Sequence, residues 1–282
     1  MLQMKDKVCV ITGATDGIGK EAACGLALQG AKLLIHGRDP DKGARAVAEL
    51  KARSNNPAIE FLPADFASLA DVRRFAAAVI ERMPRIDVLI NNAGGMFVKR
   101  GESKDGYELT FAVNHLAPFL LTQLLLAGLK RAPQARIVTT ASDAHRGATL
   151  DFDDLQATRR YSAMGAYGRS KLANILFTRN LAKRLEGTMV TATCLHPGFV
   201  RTSIGRDLPV IPRSIFRFIS LFIRSPQKGA QTIVYLASSP QVQGASGGYY
   251  FDCRLTPPTP AAQDDAAAEQ LWQVSEKLVG MR

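Results

Sequence analysis

The sequence predicts an α/β fold: one domain built on a doubly wound, seven-stranded parallel sheet with helices on both faces. Two observations carry this. Short apolar runs recur along the chain, each near-continuous in Val, Ile, Leu and Thr, as expected for strands covered on both faces. Longer segments of helical periodicity separate them, and parallel neighbours need such crossovers. No internal repeat or low-complexity linker divides the 282 residues, which suffice for a sizeable core.

Taken in order, VCVIT (8–12) is the first strand, followed by a glycine-rich turn and a helix over 17–29. KLLIH (32–36) and IEFL (59–62) are the next strands, with helices over 40–53 and 69–83. DVLIN (87–91) precedes a helix over 105–130, and RIVTT (136–140) precedes one over 163–186. TATCLH (191–196) leads to a helix over 226–238, and GYYFD (248–252) is the seventh strand. The Pro-rich TPPTPAAQDD (256–265) joins it to a last helix over 262–279, so it is no domain linker.

Composition narrows the function classes. At 46% hydrophobic and 22% charged the chain matches soluble globular proteins. No uninterrupted apolar run reaches the roughly 18 residues that span a bilayer. The N-terminus MLQMKDKVCVITGA enters a strand without signal-peptide architecture, so a cytoplasmic protein is expected. Cys9, Cys24, Cys194 and Cys253 form no C-x-x-C and read as reduced thiols. No His, Cys or carboxylate group has metal-ligand spacing, so no metal is expected. The net charge of +11 invites nucleic acid, but the basic residues are scattered and lack an aromatic-rich stripe, which argues against it.

The first strand runs straight into TGATDGIGKEAACGLALQGA. Glycine admits unusual φ and lets backbone approach a pyrophosphate, while the following helix N-terminus offers free N–H groups and a positive dipole. Gly13, Thr15, Asp16, Gly17, Ile18 and Gly19 are therefore candidate cofactor-binding residues. The spacing is Gly-x-x-x-Gly-x-Gly rather than Gly-x-Gly-x-x-Gly, and a ligand-free turn is the plainer alternative. At the end of the second strand, LLIHGRDPDKG puts Gly37 and Arg38 where an NAD-binding chain carries an acid for the ribose 2′-hydroxyl. A guanidinium there suits a 2′-phosphate, so Arg38 points to NADP(H) unless Asp39 turns inward instead.

AYGRSKLAN (166–174) sets Tyr167 one helical turn before Lys171, so both side chains leave one face. An ammonium about 6 Å from the phenol, at an effective dielectric near 20, favours phenolate by roughly 3 kcal/mol. A phenol ordinarily near 10 would then fall toward roughly 8, a useful range for general acid–base work. Such a pair also arises by chance, so its meaning depends on its surroundings.

Those surroundings are ordered: TGATDGIG (12–19), Asp65 after the third strand, NNAG (91–94), Asn114, Ser142, Tyr167 with Lys171, and HPG (196–198). The set resembles the short-chain dehydrogenase/reductase family over essentially the whole chain. The resemblance implies a Rossmann-type NADP(H) domain spanning 1–282, with Asn114, Ser142, Tyr167 and Lys171 as catalytic residues. It implies that Ser142 and Tyr167 hold the substrate oxygen, Lys171 binds the nicotinamide ribose, and Asn114 supports a water in the proton relay. It also implies cofactor contacts at Asp65 (adenine edge), Asn91, Tyr167, Lys171, Pro197 and Thr202 (carboxamide). On their own Ser142 reads as a turn or cap residue, Asn114 as a helix hydrogen-bonder, Asp65 as an N-cap and Thr202 as a local cap. His145 follows Ser142 closely, and a loop hydrogen-bonder is its safer reading.

A segment at about 199–228, with six basic side chains against Asp207, follows the sixth strand. Within it, PRSIFRFISLFIRSP (212–226) puts Arg213, Arg217, Ser220 and Arg224 on one narrow helical face and apolar residues, Phe216, Phe218 and Phe222 among them, on the rest. It reads as a lid over an apolar substrate, or as a lid that also docks on an anionic membrane. SDAHRGATLDFDDL (142–155) and the C-terminal third are similar to the retinol dehydrogenase-like branch, whose members reduce retinal or other lipophilic carbonyls with NADPH. The expected protein interconverts a lipophilic alcohol with its aldehyde or ketone, with Tyr167 as general acid/base. The alternative is a non-catalytic NADP(H) scaffold or redox sensor, which would have no need of a protonatable phenol beside a lysine. Whether the chain forms a homo-oligomer stays open at this level.

Overall fold

The computed structural model describes residues 3–200 and 224–281. Its strands are β1 (Val8–Ile11), β2 (Lys32–Gly37), β3 (Ile59–Pro63), β4 (Val88–Asn91), β5 (Ala135–Thr140), β6 (Val190–His196), β7 (Tyr249–Phe251) and β8 (Arg254–Leu255). Its helices are α1 (Gly17–Ala27), α2 (Pro40–Ser54), α3 (Leu69–Arg82), α4 (Leu109–Lys130), α5 (Ala163–Arg184), α6 (Pro226–Ser238) and α7 (Asp265–Leu278). Side-chain oxygens of Asp16, Asp39, Ser68, Ser162, Ser225 and Asp264 cap helix starts by accepting from first-turn N–H groups, which explains where these helices begin.

The strands form one sheet in the order β3-β2-β1-β4-β5-β6-β7-β8, parallel from β3 through β7. The seven expected parallel strands are present, and the antiparallel β8 is an addition. β8 follows β7 through a two-residue turn in which Asp252 (φ 48°) and Cys253 (φ 61°) are both left-handed, the backbone that suits a tight hairpin. At two residues, β8 carries no readable period of its own.

Both faces of the sheet are apolar, as the near-continuous runs require. Cys9 and Ile11 of β1 pack with α1, α2 and α6, while Val10 packs with α3, α4, α5 and α7. Leu33 and Ile35 against Leu34 repeat this alternation in β2. The 22-residue α4 is long and apolar enough by composition to cross a membrane, yet 72% of its most apolar window is buried against its neighbours here. Strand order reverses between β1 and β4, and a crevice at the carboxyl ends of the strands on either side of such a point is where ligands bind in this architecture. Each candidate site residue on a strand-to-helix turn lies just beyond one of those carboxyl ends.

Candidate active site

Where β1 turns into α1, Gly13 and Gly19 leave no room for a side chain. Gly13 and Gly17 sit at φ 63° and 56°. A Cβ on Gly13 would stand 2.7 Å from Ala93 Cα, and one on Gly19 would stand 2.2 Å from the Gly13 carbonyl. Asp16 caps α1, accepting from Gly17 N–H at 2.7 Å. Ile18 is buried beneath the turn, and the Thr15 side chain lies against Gly37 of β2. The result is a bare backbone cradle at a helix N-terminus, which fits a dinucleotide pyrophosphate.

The cradle is held from behind. Asn92 Nδ2 donates to the carbonyls of Thr12 (3.0 Å) and Gly13 (3.1 Å), and Thr12 Oγ1 accepts from the N–H groups of Asn92 and Ala93. Asn91, the expected cofactor residue, turns its side chain into the core, where Nδ2 donates to Thr122 Oγ1 at 2.9 Å. A cofactor contact from Asn91 would therefore be a backbone contact. His36 was not foreseen. Its Nδ1 accepts from Gly13 N–H (3.2 Å), its Nε2–H donates to the Ala64 carbonyl (3.0 Å), and its ring stacks on Phe66 at 4.0 Å. Burial lowers its pKa to about 4, so the bridging ring is neutral. The readable signal was a polar ring in a doubly covered strand, which must find partners.

At the end of β2, Arg38 is exposed and Asp39 caps α2, accepting from Asp41 and Lys42 N–H at 3.0 Å each. Asp39 therefore does not turn inward. Asp65 does not cap α3, since Ser68 does. Asp65 Oδ1 instead accepts from Ala67 N–H at 3.1 Å, and Oδ2 lies 3.4 Å from Lys104 Nζ. Pro197 directly follows β6. Thr202 lies outside the described residues, as do residues 212–223 of the expected lid. The lid's Arg224 is described, and it departs from the docking reading. Its guanidinium pairs with both carboxylate oxygens of Asp252 and lies 4.7 Å over the Phe251 ring, so it is committed within the protein.

The reacting groups converge beside this cradle. Within α4, Ala112–Leu116 form a π-turn, a distortion common at functional sites, which brings Asn114 inward. Asn114 Oδ1 accepts from Gly95 N–H at 2.8 Å, and Nδ2 donates to the Gly95 carbonyl and Ser170 Oγ at 2.9 Å each. Ser142 follows β5 and caps a short 3-10 turn, its Oγ accepting from Ala144 N–H at 3.2 Å. Tyr167 and Lys171 share a face of α5, with Nζ 5.4 Å from the centre of the phenol ring. Lys171 Nζ donates to the Thr140 carbonyl at 3.0 Å, and burial lowers its pKa to about 8. Burial pushes the Tyr167 phenol up, opposed by a side-chain hydrogen bond with Ser142. That reverses the expected fall toward 8, because removal from water outweighs the lowering effect of the Ser142 hydroxyl. The candidate acid/base pair and Ser142 are thus brought together, while Arg38 and Asp65 lie at the far end of the cradle.

The family model for short chain dehydrogenase matches residues 7–209. The chain is a short-chain dehydrogenase/reductase. Human retinol dehydrogenase 14 is similar to it, at 42% identity over 99% of this chain and 88% of that protein. So is a protein of Streptomyces sp. (strain C5) provisionally named daunorubicin C-13 ketoreductase DnrU, at 44% identity over 97% of this chain and 93% of that one. Among solved structures, Pseudomonas aeruginosa RhlG in an active-site complex with NADP shares 27% identity and a TM-score of 0.72, covering 88% of this chain and 95% of that one. This short-chain dehydrogenase/reductase belongs with the retinol dehydrogenase-like branch and is an oxidoreductase of alcohol and carbonyl groups.

Proposed function

We propose that this protein is an NADP(H)-dependent reductase of lipophilic aldehydes or ketones. The observation that carries the reading is Tyr167 and Lys171 on one face of α5, packed through Gly168 against the turn that carries Ser142, beside a backbone cradle fit for a pyrophosphate. Gly13, Gly17, Gly19 and the start of α1 would hold the pyrophosphate, Asp65 the adenine edge, and Arg38 the 2′-phosphate. When bound, the dinucleotide supplies the hydride equivalent.

The side chains then have distinct tasks. A substrate carbonyl oxygen accepts hydrogen bonds from Ser142 and Tyr167, which neutralise the charge that develops on it. Tyr167 donates its proton to that oxygen. A phenol held up by burial is protonated at neutral pH, so it is ready to act as the acid in the reductive direction. Lys171, drawn down to about 8, is still cationic near pH 7 and stabilises the phenolate left after donation. Asn114 holds the Gly95 loop against α5 and so fixes the proton's exit side. An apolar substrate is supported by the names of the relatives above, a retinol dehydrogenase and a daunorubicin ketoreductase.

The test follows NADPH absorbance against aldehydes and ketones graded in chain length, with NADH and Tyr167→Phe beside it. Tyr167→Phe is expected to lose about 10²- to 10⁴-fold in kcat while retaining NADPH affinity. A variant that turns over as well as the parent would refute the assignment and favour a cofactor-binding scaffold.

A further inference from the structure

Two histidines outside the expected catalytic set touch the turn that carries Ser142. His145 is wholly buried. Its Nδ1 lies 2.7 Å from the Ser142 carbonyl, and its Nε2 accepts from Thr259 N–H at 3.4 Å. The ring is therefore a neutral Nδ1–H tautomer that donates to Ser142. His196, the last residue of β6, accepts from Asp143 N–H through Nδ1 at 3.2 Å. The Ser142 carbonyl and the Asp143 N–H belong to one peptide unit. That unit is planar, so bonds to its two opposite edges fix its rotation and with it ψ of Ser142 and φ of Asp143.

Each histidine is itself backed by a ring from β7. His145 meets Tyr249 edge-on, with centroids 5.2 Å apart and planes at 65°. His196 stacks on Phe251 at 5.0 Å and 19°. Tyr249 and Phe251 are two apart on a strand and so point to the same side of the sheet. We propose that His145 and His196 are positioning residues that clamp the 142–143 peptide and thereby aim the Ser142 hydroxyl toward Tyr167. This rests on the reading that Ser142 holds the substrate oxygen. Neither ring touches substrate; both act through Ser142.

A double-mutant cycle tests the clamp. His145→Phe and His196→Phe keep a ring against β7 and remove the side-chain hydrogen bond, the His145 backbone N–H still donating to the Ser142 carbonyl at 3.2 Å. His145→Asn can still donate from Nδ2, and His196→Asn can still accept at Oδ1. Each is assayed for kcat, carbonyl KM and NADPH affinity, in the parent and in a Ser142→Ala background. A misplaced reacting group costs up to about 10²-fold, so each Phe variant should lose about 10- to 100-fold in kcat with NADPH affinity unchanged. In Ser142→Ala the same change should cost under about threefold, because its target is gone. The Asn variants should recover most of the loss.

An equal fold loss in both backgrounds, or no loss in the parent, overturns the clamp. Full turnover by Ser142→Ala alone overturns the role of Ser142 first and the clamp with it, which separates the two failures. Should a Phe variant not fold, Thr259→Pro removes the outer donor to His145 at a residue whose φ of −65° proline already adopts. It should lower kcat in the parent and have no effect in Ser142→Ala.

Discussion

Asp39 and Arg38 are neighbours with opposite fates. Asp39 gives its carboxylate to two N–H groups at the start of α2, which holds its pKa below the usual carboxylate range. Arg38 stays exposed at the end of β2. If the 2′-phosphate is its ligand, Arg38→Ala should weaken NADPH binding by about 10- to 100-fold, the worth of charge-assisted hydrogen bonds, and leave NADH nearly unchanged. Fluorescence titration with both nucleotides checks this, and equal weakening of the two would remove Arg38 from the phosphate site. The proposal for Arg38 starts from the sequence, where a cation stands in place of an acid at the end of the second strand. Asp39's capping role needed backbone coordinates, since a carboxylate at that position suits a ribose hydroxyl equally well. The Tyr167 pKa went the other way for the same kind of reason. Helical spacing places Lys171 beside the phenol, but nothing in the spacing tells that packing leaves the phenol only partly exposed, enough to push its pKa up.

At the scale of elements, α5 and the Ser142 turn meet at a glycine. A Cβ on Gly168 would stand 2.7 Å from the Ala144 carbonyl, so the helix lies against the turn as closely as backbone permits. Gly168→Ala must push the two apart, at an overpacking cost of about 1–3 kcal/mol. It should also reduce kcat by lengthening the Ser142–Tyr167 contact. A thermal melt and a turnover assay on the same variant check both, and an unshifted melt would contradict the packing argument. The motif Tyr-Gly-x-x-Lys was plain in the sequence, but the need for its glycine was not. The π-turn in α4 was equally hidden. A helical period over 105–130 predicts a helix, yet it cannot show that Ala112–Leu116 widen so that Asn114 and His115 serve different partners, Gly95 and Ser275. The first residues of that stretch are not helical either, because Glu108 caps α4 by accepting from Thr110 and Phe111 N–H at 2.8 Å each.

For the molecule as a whole, its histidines work as neutral connectors, and this makes acid costly. Burial lowers His36 to about 4, His115 to about 3 and His196 to about 4, all from 6.5. Between pH 6.5 and about 4 the unfolded chain binds protons that the folded protein refuses, so stability falls as pH falls through that window. Three such groups give a slope of up to about 4 kcal/mol per pH unit. Denaturant unfolding at pH 7, 6 and 5 should show the midpoint dropping at each step, and a flat profile would mean the rings charge without penalty. The doubly wound α/β class, the chain order of the strands, the glycine cradle and the Tyr167–Lys171 pair were all readable from residue order. Period and spacing report directly on which faces are buried and which side chains share a helix turn. Which distant segments meet was beyond that reach: β7 behind His145 and His196, His36 beneath Gly13, and Arg224 against Asp252. Those pairings join residues far apart in the chain, and they follow from how the helix layers and sheet close on one another rather than from any local pattern.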